Sequence, residues 1–237
     1  MIRLEKLSVG HGERTLIDAT DITLEGGRLV ALIGRNGTGK SSLLRVIGGI
    51  DRPLGGGVSF DGKDIHALSP LERARTIAFV TTQRVRIANL RCRDVVGMGR
   101  TPYTDWIGRM TESDREIVAD ALRLVDMTAY ADRALDTLSD GECQRIMTAR
   151  ALAQQTPVIL LDEPTSFLDI PARHATCRLL QRLAHEERKL VLFSTHELDL
   201  ALELADDILL IDSTRLVIDV ADSSSMRDRI FQCFELG

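Results

Sequence analysis

Residues 34–41, GRNGTGKS, combine residue types that bind phosphate groups. Two glycines around four free positions, followed by Lys40 and Ser41, form the phosphate-loop pattern. Glycines let the backbone turn tightly so that several N–H groups face one anion, and a following helix adds its N-terminal partial charge. We expect Lys40 to reach the β- and γ-phosphates of a nucleotide and the Ser41 hydroxyl to ligate Mg²⁺. The candidate nucleotide-binding residues are Gly34, Arg35, Asn36, Gly37, Thr38, Gly39, Lys40, Ser41 and Ser42.

The sequence on either side of this segment fits a strand, a loop and a helix. Residues 29–33 are five apolar residues in a row, which predicts a buried parallel strand. Residues 42–47 have the spacing of an amphipathic helix that ends near Gly48 and Gly49. The alternative, a glycine turn without a ligand, does not require this context. We therefore interpret the segment as a nucleotide site.

Two carboxylates follow a second apolar run. Residues 158–161 predict a buried strand, and Asp162 and Glu163 come directly after it. Asp162 is expected to hold Mg²⁺ through its water shell, opposite Ser41, and Glu163 to polarise an attacking water. The alternative is a strand followed by an acidic helix cap. The presence of a phosphate loop in the same chain favours the catalytic interpretation.

The bulk composition is that of a globular protein, and it excludes some classes of function. The chain has 237 residues, 44% apolar and 27% charged, with a net charge of −5. This charge gives no basic footprint for nucleic acid. The N-terminus lacks a signal-peptide core and no apolar run reaches 18 residues, so we expect no membrane span. The four cysteines are far apart and are expected to be reduced thiols: Cys92, Cys143, Cys177 and Cys233.

The periodicity changes twice along the chain. Residues 1–33 alternate like antiparallel strands that lead into the phosphate-loop strand, whereas residues 113–126 have a one-sided apolar helical face. After residue 138, strands alternate with helices: a helix is predicted through 149–153 and strands at 158–161 and 190–194, with a helix around 172–187 between them. This alternation implies a mostly parallel sheet. We predict a single α/β domain with a catalytic core at 1–88 and 146–237. The helical insertion between them is predicted to span 89–145.

The order of these motifs resembles that of the ATPase subunit of ABC transporters. The motifs are the phosphate loop, Gln83, residues 138–144 (LSDGECQ), Asp162-Glu163, Leu168-Asp169 and His196, and together they extend over essentially the whole chain. The resemblance implies a P-loop NTPase fold that binds ATP with Mg²⁺ and hydrolyses it. It also implies a head-to-tail homodimer with two ATP molecules sandwiched between the phosphate loop of one subunit and residues 138–144, the signature segment, of the other.

The resemblance also implies roles for single residues. Gln83 resembles the lid glutamine that touches Mg²⁺ or the attacking water and reports the state of the site to the membrane partner. Glu163 resembles the catalytic base, and His196 the switch histidine that contacts the γ-phosphate. In isolation, His196 would more readily be a strand-end residue that caps the next helix. The order of the motifs favours the switch role.

Three further residues are assigned by the same resemblance. Ser139 and Gly141 resemble signature residues that contact the γ-phosphate of ATP bound to the opposite subunit. The chemistry agrees with this role, because a hydroxyl and N–H groups at a helix N-terminus can bind an anion. Asp169 belongs to the loop that links the two sites.

The chain departs from the family pattern at three positions. Asp140 replaces the usual second glycine of the signature segment, and we expect its carboxylate to cap the following helix rather than face the γ-phosphate. Cys143 stands where arginine is usual. His11 replaces the aromatic residue that stacks on adenine, and an imidazole can still stack there, although less strongly.

The helical insertion resembles one branch of the family. Residues 96–103 and 106–109 are similar to importers of iron-siderophores, haem or cobalamin. The resemblance implies a peripheral subunit on the cytoplasmic face of the inner membrane, bound to a permease dimer and indirectly served by a substrate-binding protein. Trp106 is either a hydrophobic plug or an exposed contact for a cytoplasmic helix of the permease. The alternatives are a soluble ABC-type ATPase that acts as a scaffold or machine, and an exporter ATPase.

Overall fold

The computed structural model of the chain describes residues 1–82 and 88–234. In that part of the chain, ten strands form two sheets, with eight α-helices around them. The strands are β1 (Ile2–His11), β2 (Arg14–Leu24), β3 (Arg28–Gly34), β4 (Gly55–Phe60), β5 (Lys63–Asp64), β6 (Ile77–Val80), β7 (Val158–Leu161), β8 (Leu190–Ser194), β9 (Asp207–Asp212) and β10 (Arg215–Val220). The helices are α1 (Lys40–Ile47), α2 (Pro70–Thr76), α3 (Cys92–Gly97), α4 (Glu112–Leu124), α5 (Asp140–Ala153), α6 (Ile170–Glu186), α7 (Leu198–Leu204) and α8 (Ser224–Phe234).

The larger sheet has the strand order β10-β9-β3-β8-β7-β6 and is parallel except for β10 at its edge. The smaller sheet, β2-β1-β4-β5, is antiparallel. These sheets confirm the predicted α/β class, with a mainly parallel core sheet and an N-terminal antiparallel part. None of the helices in the described residues has the length and apolar character of a membrane span.

Strand β3 explains why the central strands are apolar without interruption. Leu29, Ala31 and Ile33 pack into the cluster formed with the helices that follow residue 91, whereas Val30 and Leu32 pack into the cluster shared with the smaller sheet. Successive side chains of a strand point to opposite faces, and both faces of this sheet are covered. An apolar run is therefore the expected sequence of each central strand.

Several predicted elements match the structure and others differ in length. Predicted strands 158–161 and 190–194 coincide with β7 and β8. Helix α5 begins at Asp140, although the sequence pattern indicated only its end, at residues 149–153. The early start has a local cause, because Ser139 and Glu142 form a capping box that begins the helix nine residues upstream of the predicted one.

Helices α3, α4 and α5 pack against one another and form the helical part predicted between the two α/β parts. Helix α5 runs without a break through residue 145, where the sequence placed the end of the insertion. The division of the chain into a core at 1–88 and 146–237 and an insertion at 89–145 stays a prediction.

A buried ion pair holds this helical part together. The Arg100 Nε donates to Asp114 Oδ1 at 2.9 Å, and both side chains are only 7% exposed. Arg100 also donates to the carbonyl of Ala153 at the end of α5, and its guanidinium stacks on the Tyr103 ring at 4.2 Å. Asp114 accepts further hydrogen bonds from the Thr111 hydroxyl and backbone N–H. These bonds, led by those from Thr111, lower the pKa of Asp114 to about 2.

We predict that Asp114→Asn destabilises the protein in a pH-dependent way. The pKa of Asp114 is depressed on folding, so its ionised form stabilises the fold fully above about pH 4, and this contribution disappears as the pH falls toward 2. At pH 7 the substitution should lower the free energy of unfolding by about 2 kcal/mol. The difference between variant and parent should shrink at pH 3, as measured by urea denaturation.

Glu112→Gln is the matched control for this prediction. Glu112 lies in the same first turn of α4 but pairs with Arg115 in solvent, where both side chains are exposed. We expect a change of less than about 0.5 kcal/mol for the control. An equal loss of stability for Asp114→Asn at both pH values would contradict the assigned role of its charge.

Candidate functional site

The phosphate loop connects the end of β3 to the start of α1. Gly37 and Gly39 adopt positive φ angles of 78° and 103°, which other residues rarely accept. Gly39 is the N-cap of α1 and provides no side-chain cap. The Lys40 Nζ folds back and donates to the carbonyl oxygens of Gly34 at 2.8 Å and Arg35 at 3.3 Å. The loop therefore surrounds its own lysine.

The two predicted carboxylates act on the charge of this lysine. Burial lowers the pKa of Lys40, while the charges of Glu163 and Asp162 partly offset that effect. A cleft of about 540 Å³ opens over the loop. The cleft is lined by several of the predicted site residues. It is also lined by Arg14 and Leu16, which were not predicted. The lining consists of His11, Arg14, Leu16, Asn36, Gly37, Gly39, Lys40, Ser41, Ser42 and Glu163.

Asp162 and Glu163 leave the carboxyl end of β7, as predicted. Asp162 is buried, and its Oδ1 accepts a hydrogen bond of 2.6 Å from the hydroxyl of Ser194 at the end of β8. Its Oδ2 lies 3.5 Å from the Thr82 hydroxyl. Sequence reasoning did not select Ser194: the sequence shows a polar residue at the end of an apolar strand, but not that this strand pairs with β7.

Glu163 faces the cleft and contacts the predicted switch histidine. Its Oε1 lies 3.8 Å from His196 Nδ1, and its Oε2 accepts a hydrogen bond from Ser166 at 2.9 Å. His196 is half-exposed and does not cap α7, whose N-cap is Glu197. The arrangement places an imidazole beside the carboxylate that lines the cleft, and a carboxylate can accept a proton from water.

The loop from Glu163 to α6 has a structural function of its own. Asp169 is the N-cap of α6 and accepts a hydrogen bond from the Ala172 N–H at 2.9 Å. Arg173 donates to the Leu168 carbonyl at 2.8 Å and forms an ion pair with Glu197 at 3.2 Å. The loop is thus tied to the segment that carries His196. A contact of Asp169 with nucleotide stays a prediction.

The signature segment forms the N-terminus of α5, outside the lining of the cleft. Ser139 is the N-cap, and the backbone N–H of Ser139 donates to Glu142, which lowers the pKa of that carboxyl. The prediction that Asp140 caps the helix was wrong: it occupies the first helical position, because Ser139 with Glu142 already completes the capping box. Gly141 lies so close to Phe167 that an added Cβ would stand 2.9 Å from the Phe167 carbonyl oxygen.

His11 lies at the edge of the cleft, where the sequence placed a stacking residue. Its Nε2 is 2.9 Å from the Ser42 hydroxyl oxygen. Its stacking on adenine stays a prediction. Gln83 lies outside the described residues.

The oxygen donors fit Mg²⁺ better than a softer metal. Asp162 and Ser41 offer a carboxylate and a hydroxyl, which are hard ligands. Within residues 1–82 and 88–234, no three His, Cys, Asp or Glu residues converge into a metal site. Mg²⁺ commonly keeps water and phosphate oxygens among its ligands. When bound, Mg²⁺ would neutralise phosphate charge, and Asp162 and Ser41 are the residues that would hold it.

Comparisons with known proteins agree with this geometry. The family model described as ABC transporter matches residues 17–166. The achromobactin transport ATP-binding protein CbrD of Dickeya dadantii is 38% identical over 86% of this chain and 76% of its own length. The hemin import ATP-binding protein HmuV of Nocardia farcinica is 39% identical over 87% of this chain and 70% of its own.

Solved structures show the same architecture. An inward-facing putative metal-chelate type ABC transporter has a TM-score of 0.85 and 27% identity, and the match covers 99% of this chain and 88% of the other. A dimeric ATP-binding cassette in a post-hydrolysis state with ADP and Pi has a TM-score of 0.83 and 26% identity over 94% and 100% of the two chains. The chain therefore belongs to the family of ABC transporter ATP-binding proteins and is an ATP hydrolase of the ABC type.

Proposed function

We propose that this chain powers the uptake of a metal chelate, such as an iron-siderophore, haem or cobalamin, through a separate membrane permease. The observation that supports it most is the cleft that joins the phosphate loop to Glu163, next to buried Asp162. The substrate class is inferred from relatives whose names state achromobactin transport, hemin import and cobalamin import. The transported compound would not touch this chain.

In the proposed reaction, each residue of the cleft has a defined task. Lys40 keeps two of its three N–H donors on the loop carbonyls and directs the third to the β- and γ-phosphates of ATP, while the loop N–H groups surround the anion. Ser41 and Asp162, with Gln83, would hold Mg²⁺. Glu163 accepts a proton from the attacking water, and His196 donates to the γ-phosphate from beside it.

The proposed working unit is a head-to-tail homodimer. Ser139 and Gly141 lie outside the cleft of their own chain, so they would complete the cleft of a second copy. The apolar side chains of Phe167 and Ile170 are exposed in the adjacent loop, and burial against the partner would remove them from water. Asp169 lies between these two residues, consistent with its predicted place between the two nucleotide sites. The solved ADP- and Pi-bound cassette is a dimer.

A preformed loop in the helical part supports docking to the permease. The Asp105 Oδ1 accepts hydrogen bonds from the N–H groups of Ile107 at 3.0 Å and Arg109 at 2.9 Å, and Gly108 adopts a φ of 78°. The turn leaves Trp106 94% exposed. Trp106 is thus not a hydrophobic plug. We propose that it contacts a cytoplasmic helix of the permease, which would hold the chain at the cytoplasmic face of the inner membrane.

We predict that Glu163→Gln lowers kcat for ATP hydrolysis by about 10²–10⁴-fold, because an amide cannot accept the proton of water at neutral pH. ATP-dependent dimers should persist, since the side-chain volume is unchanged. Phosphate release and gel filtration with ATP measure the two effects. Glu116→Gln, on the exposed side of α4, is the control. Retained hydrolysis in Glu163→Gln would remove Glu163 from the role of base.

We predict that Lys40→Ala raises the Kd for ATP by about 10- to 100-fold, as expected for the loss of a charged donor to phosphate. Titration with a fluorescent ATP analogue measures this affinity. Lys63→Ala is the control, because Lys63 is an exposed lysine of β5 away from the cleft. Equal affinity of parent and Lys40→Ala would contradict the proposed phosphate contact.

We predict that the tagged chain, purified from gently solubilised native membranes, carries a stoichiometric polytopic membrane protein. Trp106→Ala should reduce the recovered partner by at least about tenfold, as for a central aromatic contact, without changing ATP hydrolysis by the isolated chain. Phe231→Ala removes another exposed aromatic side chain and should keep the partner. Soluble partners only, or none, would overturn the importer proposal in favour of a soluble ABC-type ATPase.

A further inference from the structure

Ser194 carries a buried hydroxyl that contacts the Asp162 carboxylate and the Glu163 backbone. It is the last residue of β8, pairs in register with Leu32 of β3, and is 0% exposed. On the other side of β8, β7 ends one residue before Asp162. Ser194 therefore lies in the middle of the strand edge from which the phosphate loop, the carboxylates and His196 extend.

The Ser194 hydroxyl makes one hydrogen bond to each of the two acidic residues. It donates to Asp162 Oδ1 at 2.6 Å and accepts from the backbone N–H of Glu163 at 2.9 Å. Its single proton is committed to Asp162, because a hydroxyl has only one O–H donor. A hydrogen bond to a charged acceptor at this distance is of the strong, charge-assisted kind.

The bond to Glu163 restrains an unusual backbone. Glu163 has a φ of 48°, in the left-handed region that residues with a side chain rarely adopt. Such a conformation persists only where surrounding contacts hold it. The N–H bond to Ser194 and the Ser166 bond to Oε2 are contacts of this kind, and together they direct the carboxylate of Glu163 into the cleft.

We propose that Ser194 is a positioning residue for ATP hydrolysis: its hydroxyl fixes the Asp162 carboxylate for Mg²⁺ and the Glu163 backbone for the attacking water. This inference rests on the proposed roles of Asp162 and Glu163. In this proposal, Ser194 contacts neither the nucleotide nor the metal. Partners that orient metal ligands typically change metal affinity or activity by about 10- to 100-fold when they are removed.

The test compares Ser194→Ala with the parent chain by nucleotide binding and by hydrolysis. We expect a fluorescent ATP analogue in EDTA to bind within about twofold of the parent, since the phosphate loop is unchanged. The gain in affinity on adding Mg²⁺ should fall by about tenfold, and kcat should fall by about 10- to 100-fold with a smaller change in KM. An unchanged response to Mg²⁺ together with an unchanged kcat would overturn the proposal.

Thr156→Val is the matched control. Thr156 is a buried hydroxyl at the opposite end of β7, where it donates to the Val158 carbonyl and, among the residues that the structure describes, has no bond to a carboxylate. It should lower the melting temperature without changing the response to Mg²⁺. Ser194→Cys covers the case in which Ser194→Ala fails to fold, because the thiol is a weaker donor of similar shape. It should give an intermediate Mg²⁺ response, and a parental response would overturn the proposal.

The design separates this inference from the proposed function. A parent chain that hydrolyses no ATP, or in which Glu163→Gln stays active, contradicts the proposed function. If the parent chain is active and Glu163→Gln is inactive, the proposed function stands. If Ser194→Ala then shows the parental Mg²⁺ dependence and kcat, only the role of Ser194 is contradicted.

Discussion

The site depends on the fact that three neighbouring strands of a parallel sheet end at the same edge. The order β3-β8-β7 brings the phosphate loop, the segment of His196 and the pair Asp162-Glu163 to one place, although the phosphate loop is more than 120 residues from the other two along the chain. Carboxyl ends of parallel strands meet in this way by geometry alone, and ligands of such sheets bind there. The apolar runs that bury these strands on both faces therefore also position the chemistry.

The signature segment is not part of this strand edge. Ser139 begins α5 next to the loop that carries Phe167, and the two backbones can approach closely there because residue 141 is a glycine. At the other end of the same helix, the Ala153 carbonyl accepts a hydrogen bond from Arg100, whose ring partner Tyr103 leads into the turn of Trp106. One helix thus spans from the surface proposed for the second copy to the surface proposed for the permease.

Sequence predicted the site well where chemistry and periodicity agree. The strands before Gly34 and Asp162 were recognisable because both of their faces are buried, and the phosphate loop because glycine and lysine have specific tasks. The beginning of α5 was not recognisable from periodicity because it depends on a four-residue capping box and not on an apolar face. The same box explains why Asp140 was misassigned as the cap. Ser194 was missed because its importance comes from strand adjacency, which a linear pattern does not contain.

The lysine of the phosphate loop also holds the loop together. The Lys40 ammonium donates to the carbonyl oxygens of Gly34 and Arg35. An ammonium group has three N–H donors, so two of them brace the backbone and one is left for an outside acceptor. A neutral side chain at this position would therefore remove the brace together with the charge. The cation of the site is thus also part of the scaffold that presents the backbone N–H groups to an anion.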